Sequence, residues 1–245
     1  MRAFYLALSL LTRLPVPHFM TAHPRELGLS ALFYPLVGLI IGVLLCVPIL
    51  LGEWLTLTPQ PLLLAALVAV LWSILTGALH LDGLADSADA WLGGLGDEEK
   101  THRIMKDPTV GAIGVVAIVA VLLLKTAALY TLIDNHAWLA IILAPVLGRA
   151  FILILMLSTP YVRKAGLSKD IVSHLPRPIA YMLVAISLLL MLWVSFFALV
   201  LSLFALYLLR RLMLQRLQGY TGDTLGASVE IGEMTWLIAV ALFVF

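Results

Sequence analysis

The sequence predicts an all-α, polytopic integral membrane protein: a helical bundle of about six to seven transmembrane helices, in one domain over residues 1–245. Hydrophobic residues make up 62% of the chain and charged residues 12%, and the mean hydropathy is +1.08. A helix needs about 20 apolar residues to cross a hydrocarbon core ~30 Å thick. The apolar runs of this kind are Leu29–Leu51, Pro61–Leu79, Val110–Ile133, Ala137–Ser158, Ile179–Leu209 and Ser228–Phe245.

The distribution of Lys and Arg predicts which loops face the cytoplasm, because short cytoplasmic loops are enriched in both. The N-terminal segment and the segments 81–109 and 159–178 contain Lys or Arg, whereas 52–60 and 134–136 contain neither. The loops that flank the first four runs therefore alternate between the cytoplasmic side and the outer side. This places the polar loop near 81–109 on the cytoplasmic side of the inner membrane.

The run Ile179–Leu209 has 31 residues without a formal charge. Arg177 precedes it and Arg210 follows it, so both ends are predicted to be cytoplasmic. We therefore expect a hairpin of two short spans that turns near residues 193–195, which leaves the loop near 217–230 on the cytoplasmic side. Since no Gly or Pro marks a turn, one tilted helix of about 46 Å, at 1.5 Å per residue, stays an alternative.

Three carboxylates follow the second run at positions i, i+4 and i+7: Asp82, Asp86 and Asp89. On a helix they lie on one face, where like charges repel one another unless a cation lies between them. Mg²⁺ fits best, because it takes oxygen ligands and retains substrate phosphates as further ligands. His80 borders this segment and is a candidate phosphate donor, with a purely structural role as the alternative.

A second acidic segment precedes the last run. Asp223 and Glu230 are seven residues apart, like Asp82 and Asp89. On a helix they share a face, and we expect them to complete the first site from across a cleft. The alternative is an ordinary Gly-rich cytoplasmic loop whose acids are solvated.

The segment between the two acidic segments supplies positive charge. Arg103 and Lys106 are candidates to bind phosphate oxygens beside the metal. Asp107 is a candidate substrate-binding residue; its structural alternative is the N-cap of a helix that begins at Pro108.

Arg149 lies inside the fourth apolar run, and Lys125 lies inside the third. A charge within the membrane is costly and indicates function by default. We expect Arg149 to bind substrate or to form a buried pair with a site carboxylate, unless it reaches the membrane surface along its own side chain.

Several motifs together resemble the cobalamin synthase family, the bacterial adenosylcobinamide-GDP ribazoletransferases. They occur in order along nearly the whole chain, and the segment 80–89 is the most specific of them. The segments are Leu11–Pro17, Tyr34–Gly38, His80–Asp89, Met105–Gly111 and Gly222–Ala227.

The resemblance implies a Mg²⁺-dependent helical enzyme of the cytoplasmic membrane in cobalamin biosynthesis. Its substrates would be adenosylcobinamide-GDP and α-ribazole, or the 5′-phosphate of the latter, and GMP would leave. From physical chemistry we assign Asp82, Asp86, Asp89 and Asp223 to the metal and to catalysis. Lys106 is expected to act in catalysis. The expected substrate-binding residues are Arg103, Asp107, Glu230, Arg149 and His80.

Two other functions remain open on the sequence. One is another metal-dependent membrane phosphotransferase, although lipid head-group enzymes expect an Ala-Arg pair where this chain has Ala85-Asp86. The other is an ion-coupled transporter, which places its acids at the bilayer midplane rather than at span ends. The lipid bilayer is the expected environment. Nucleic acid is excluded because no basic stripe exists, and partnership with a second copy or with other cobalamin assembly enzymes stays open.

Overall fold

The computed structural model describes residues 1–17, 19, 21–55, 60–105, 107, 109–163 and 166–244. Their regular structure is a bundle of α-helices, which confirms the predicted fold class. In chain order, the helices are α1 (Arg2–Leu11), α2 (Pro24–Ser30), α3 (Tyr34–Trp54), α4 (Pro61–Thr76), α5 (Leu79–Gly93), α6 (Glu98–Ile104), α7 (Ala112–Asp134), α8 (Trp138–Ser158), α9 (Leu167–Ser173), α10 (Arg177–Val194), α11 (Phe196–Leu217) and α12 (Gly222–Phe243).

Six segments of the described chain are long and apolar enough to cross a membrane. They are α2 with α3, then α7, α8, α10, α11 and α12, and a seventh results if α4 and α5 count as one bent span. Helix α8 is the most buried of them and packs against α3, α10 and α12. The core of the bundle therefore lies around α8.

The long apolar run forms two helices, α10 and α11, each long and apolar enough to span a membrane, as the predicted hairpin requires. It breaks at Ser195, whose backbone is extended and whose hydroxyl caps α11 by accepting from the Ala198 amide at 3.2 Å. Phe197, at the start of α11, stacks on Phe243 at the end of α12. Arg210, near the other end of α11, donates to the carbonyl of Ser158 at 2.7 Å. The loops before α10 and after α11 thus lie at the same end of the bundle.

A 90° bend separates α4 from α5. Gly77 and Ala78 both have positive φ, at 60° and 56°, which ends α4 and restarts the chain in a new direction. The Arg13 amide donates to the carbonyl of Leu75 at 2.7 Å, so the N-terminal segment packs against this bend. The helix predicted over this run therefore ends at Thr76, and α5 runs at a right angle to it.

Helix α12 begins at Gly222, six residues before the predicted Ser228. Thr221 is its N-cap: the Thr224 amide donates to the Thr221 hydroxyl, and the Thr221 amide donates to the Thr224 hydroxyl at 2.9 Å. This capping box fixes the start of the helix. Asp223, in the first turn, and Glu230, two turns later, are consequently held on one rigid element.

Candidate active site

Helices α5 and α12 touch where both begin. A Cβ atom at Gly83 would lie 2.5 Å from the carbonyl oxygen of Asp223, so no side chain fits between the two backbones. Gly83 therefore permits the approach. It places Asp82 and Asp86, on either side of it in α5, next to the first turn of α12.

The acidic patch is formed by Asp82, Asp86 and Asp223. Partial burial, followed by the charges of Asp82, Asp223 and Asp89, raises the pKa of the Asp86 carboxyl to about 6, against an opposing effect of Arg163. Crowded carboxylates of this kind disfavour one another's charged form. The predicted joining of the two acidic segments is therefore present in the structure at Asp223.

Arg163 is a member of this site that the sequence analysis counted only as a cytoplasmic charge. Its guanidinium lies 2.5 Å from a carboxylate oxygen of Asp223 and is partly exposed. The Val162 amide donates to the carbonyl of Tyr220 at 3.1 Å, which ties the segment after α8 to the start of α12. No local pattern marks this pairing, because the partners are 60 residues apart.

Asp89 faces a different partner from the one predicted. Its two carboxylate oxygens accept hydrogen bonds from the amides of Gly111 and Gly114, at 2.7 and 2.9 Å. It thereby caps α7, whose N-cap residue is Gly111. Because its carboxylate satisfies these two amides, we assign Asp89 a structural role at the start of α7 and do not propose it as a metal ligand.

The predicted N-cap role of Asp107 is wrong. Asp107 is exposed, and it accepts hydrogen bonds from the amide and the hydroxyl of Thr109, at 3.0 and 2.6 Å, in a local turn. Helix α7 begins later, at Ala112. Arg103 is exposed on α6, and the predicted positions Lys106 and Pro108 lie outside the described residues.

Glu230 does not join the acidic patch, which corrects the second half of the predicted segment. It is buried two turns deeper in α12 and pairs with the Lys125 ammonium at 2.7 Å. The same ammonium lies 2.6 Å from Glu233, and Glu233 also pairs with Arg149. The buried pair expected for Arg149 is confirmed, but its partner is Glu233. We call these four residues the buried ion-pair cluster.

His80 is almost fully buried, at 2% exposure, beside the patch. Burial, followed by the positive charges of Arg149 and Lys125, lowers the pKa of the imidazole well below its usual value. Its Nδ1 atom is buried without a hydrogen-bond partner in the described part of the chain. A buried ring nitrogen in this state lacks an interaction that a ligand could supply.

The donor chemistry of the acidic patch fits Mg²⁺ in its usual mode. In the described ranges, no three His, Cys, Asp or Glu side chains are arranged as a ready metal cage. Mg²⁺ is, however, usually bound through one or two carboxylates, with substrate phosphates and waters as the other ligands. Asp82 is exposed and Asp86 half-buried, so both carboxylates are accessible to an arriving metal-phosphate complex.

A cavity of about 220 Å³ adjoins the patch. Asp82 and Asp223 lie at its border, and His80 lies in its wall. The acidic patch and the cavity together offer a charged surface for a phosphorylated group next to a mainly apolar space. Such a site suits two chemically different substrates that meet at the carboxylates.

Comparisons with known proteins match one family along almost the whole chain. The profile of the cobalamin-5-phosphate synthase family matches residues 3–241. A Pseudomonas putida (strain W619) protein named adenosylcobinamide-GDP ribazoletransferase is 51% identical over 99% of both chains. An Acinetobacter baumannii (strain ACICU) protein of the same name is 47% identical over 95% of this chain and 94% of its own. No solved structure matches the chain.

Proposed function

The chain belongs to the cobalamin-5-phosphate synthase family, and on this basis we propose that it transfers the cobinamide phosphate of adenosylcobinamide-GDP to α-ribazole or its 5′-phosphate. The relatives that match over the full length carry the name of this transferase. The structural observation that gives this proposal its strongest support is the acidic patch beside a mainly apolar cavity.

The proposed reaction exchanges a phosphoanhydride bond for a phosphate ester bond. The 3′-hydroxyl oxygen of ribazole attacks the phosphorus on the cobinamide side of the pyrophosphate. A new P–O bond forms there, the bridging P–O bond breaks, and GMP leaves with the electron pair. The hydroxyl proton passes to a carboxylate of the acidic patch, which lies where the hydroxyl must approach.

Asp82 and Asp86 are the residues we propose to hold Mg²⁺, with Asp223 facing them from α12. The bound ion supplies neutralisation of the charge on the pyrophosphate oxygens. Arg163 is positioned to bind a phosphate oxygen, because its guanidinium is partly exposed at the edge of the patch. In the resting protein it pairs with Asp223, which keeps that carboxylate oriented.

We place this site on the cytoplasmic face of the inner membrane. Arg163 pairs with Asp223 of the patch, and Arg210, near the end of α11, contacts the carbonyl of Ser158 at the end of α8. These Arg residues therefore lie at the same end of the bundle as the patch, in accordance with the enrichment of Lys and Arg on the cytoplasmic side. The nucleotide-linked substrate is available on that side. This orientation is part of the proposal.

An ion-coupled transporter is less well supported. The charged groups buried within the bundle pair with each other: Lys125 with Glu230 and Glu233, and Glu233 with Arg149. A transport site would need ionisable groups within the membrane that face a substrate path. The accessible acids lie instead at the end of the bundle.

The test is GMP release by the purified chain in lipid nanodiscs. We expect GMP to form only when adenosylcobinamide-GDP and α-ribazole are both present, together with an equal amount of the joined product. GMP release that ignores α-ribazole would indicate pyrophosphate hydrolysis, and no release from any combination would contradict the proposal.

A further inference from the structure

The cavity beside the acidic patch is a built pocket rather than a surface depression. Its wall combines residues of α1, α3, α5, α8, α9 and α12. Most of its lining is apolar and well buried, including Leu11, Ile152, Met156, Ile171 and Leu225. Such a lining favours a flat or compact apolar group over a charged one.

One polar group in this wall has no partner in the described ranges. The Nδ1 atom of His80 is buried without a hydrogen bond, and His80 lines the cavity. Because an unpaired buried polar group is unfavourable, an occupant with a matching nitrogen or oxygen atom is favoured over a purely apolar one. A lipid acyl chain would leave this ring nitrogen unsatisfied.

The size of the cavity and the polarity of its wall limit which chemical groups it can bind. The volume of about 220 Å³ is sufficient for a fused two-ring base. Guanine also has two fused rings, but its edge carries several donors and acceptors that this apolar wall would leave unpaired. A dimethylbenzimidazole base whose other nitrogen bears the ribose has one free ring nitrogen and an apolar edge.

We infer that this pocket binds the benzimidazole base of ribazole, with His80 available to its free ring nitrogen and the ribose directed toward Asp82 and Asp223. This inference rests on the proposed function and extends it to a specific subsite. This binding mode also positions the reacting hydroxyl, because a base bound among the apolar residues leaves the attached ribose at the border of the acidic patch. The guanine nucleotide then lies outside the pocket.

The experiment measures α-ribazole binding and turnover by the full chain in nanodiscs. Met156→Phe places a larger, rigid side chain in the pocket wall, and Leu157→Phe is the matched control, because its neighbouring position does not line the cavity. We expect Met156→Phe to raise the KM for α-ribazole about tenfold, the effect of roughly one methylene group in a hydrophobic pocket. The KM for adenosylcobinamide-GDP should stay unchanged.

Two further measurements separate a pocket effect from misfolding. The riboside of benzimidazole without its two methyl groups should recover most of the affinity lost in Met156→Phe, which a misfolded protein would not show. His80→Leu should weaken α-ribazole binding by about tenfold, the lower end of the cost of an unpaired buried group. Guanosine should not displace α-ribazole.

The outcomes are distinguishable from those of the proposed function. Displacement of α-ribazole by guanosine, or equal KM values for Met156→Phe and Leu157→Phe, would overturn the pocket assignment even if GMP is still released. Absence of turnover in the unmodified chain, with α-ribazole still bound and weakened by Met156→Phe, would overturn the proposed reaction and support the pocket.

Discussion

Replacing Asp89 by Asn tests whether this carboxylate stabilises the fold, in contrast to the accessible carboxylates of Asp82 and Asp86. The Asp89 side chain accepts two backbone hydrogen bonds at the start of α7, at 2.7 and 2.9 Å. Hydrogen bonds to a charged group contribute about 1.5–3 kcal/mol each. Asn retains one acceptor oxygen, so about one such bond is lost, and we expect the free energy of unfolding to fall by ~1.5–3 kcal/mol.

The assay compares thermal or denaturant unfolding of the Asp89→Asn and Asp86→Asn variants in the same nanodiscs. Asp86→Asn should not destabilise the fold, because it removes one of several crowded like charges, but it should stop turnover. Asp89→Asn should unfold more easily, yet retain Mg²⁺ affinity when assayed well below its unfolding temperature. Unchanged stability of Asp89→Asn together with weaker Mg²⁺ binding would refute this reasoning and restore Asp89 as a ligand.

Three more predictions concern the patch, the buried ion-pair cluster and the topology. Asp86→Ala, Asp223→Ala and the double variant should lose similar activity, because both residues serve one site; rates that multiply in the double variant would indicate independent sites. Glu230→Gln should destabilise the fold by about 3–5 kcal/mol without changing Mg²⁺ affinity, since Lys125 and Arg149 then share the single carboxylate of Glu233 and the buried ion-pair cluster carries an uncompensated positive charge. The partly exposed pair of Arg2 and Glu26 should contribute about 1 kcal/mol or less in the control Glu26→Gln. In a Cys46→Ser background, an impermeant thiol reagent added outside should label a cysteine at Asn135 but not one at Gln215, and labelling at Gln215 alone would reverse the orientation.

Much of the fold follows from the amino-acid sequence because membrane crossings depend on local composition. The hairpin over Ile179–Leu209 was predicted from Arg residues at both ends, although its break at Ser195 has neither Gly nor Pro. The last apolar run begins at Ser228, six residues after the start of α12, because the first two turns of that helix contain Asp223 and small residues. A count of apolar residues misses a helix whose acids are buried against partners from other helices.

The site was predictable where its members are close in sequence or belong to a second acidic segment. The shared face of Asp82 and Asp86 follows from helical spacing, and the contact with Asp223 was expected from a second acidic segment. By contrast, Asp89 caps a helix 22 and 25 residues away, and Glu233 pairs with Arg149 across 84 residues. Those assignments depend on how the helices pack, which no local pattern records.

The central claim is that the acidic patch binds Mg²⁺ and the pyrophosphate together. The most direct measurement is GMP release from adenosylcobinamide-GDP and α-ribazole as a function of Mg²⁺ concentration, after chelation, for the unmodified chain and for Asp82→Asn and Asp86→Asn. We predict that chelation stops release, that Mg²⁺ restores it, and that both variants lose at least about a hundredfold in rate, equivalent to ~2.7 kcal/mol of transition-state stabilisation. Near-normal rates of both variants at limiting Mg²⁺ would contradict the claim.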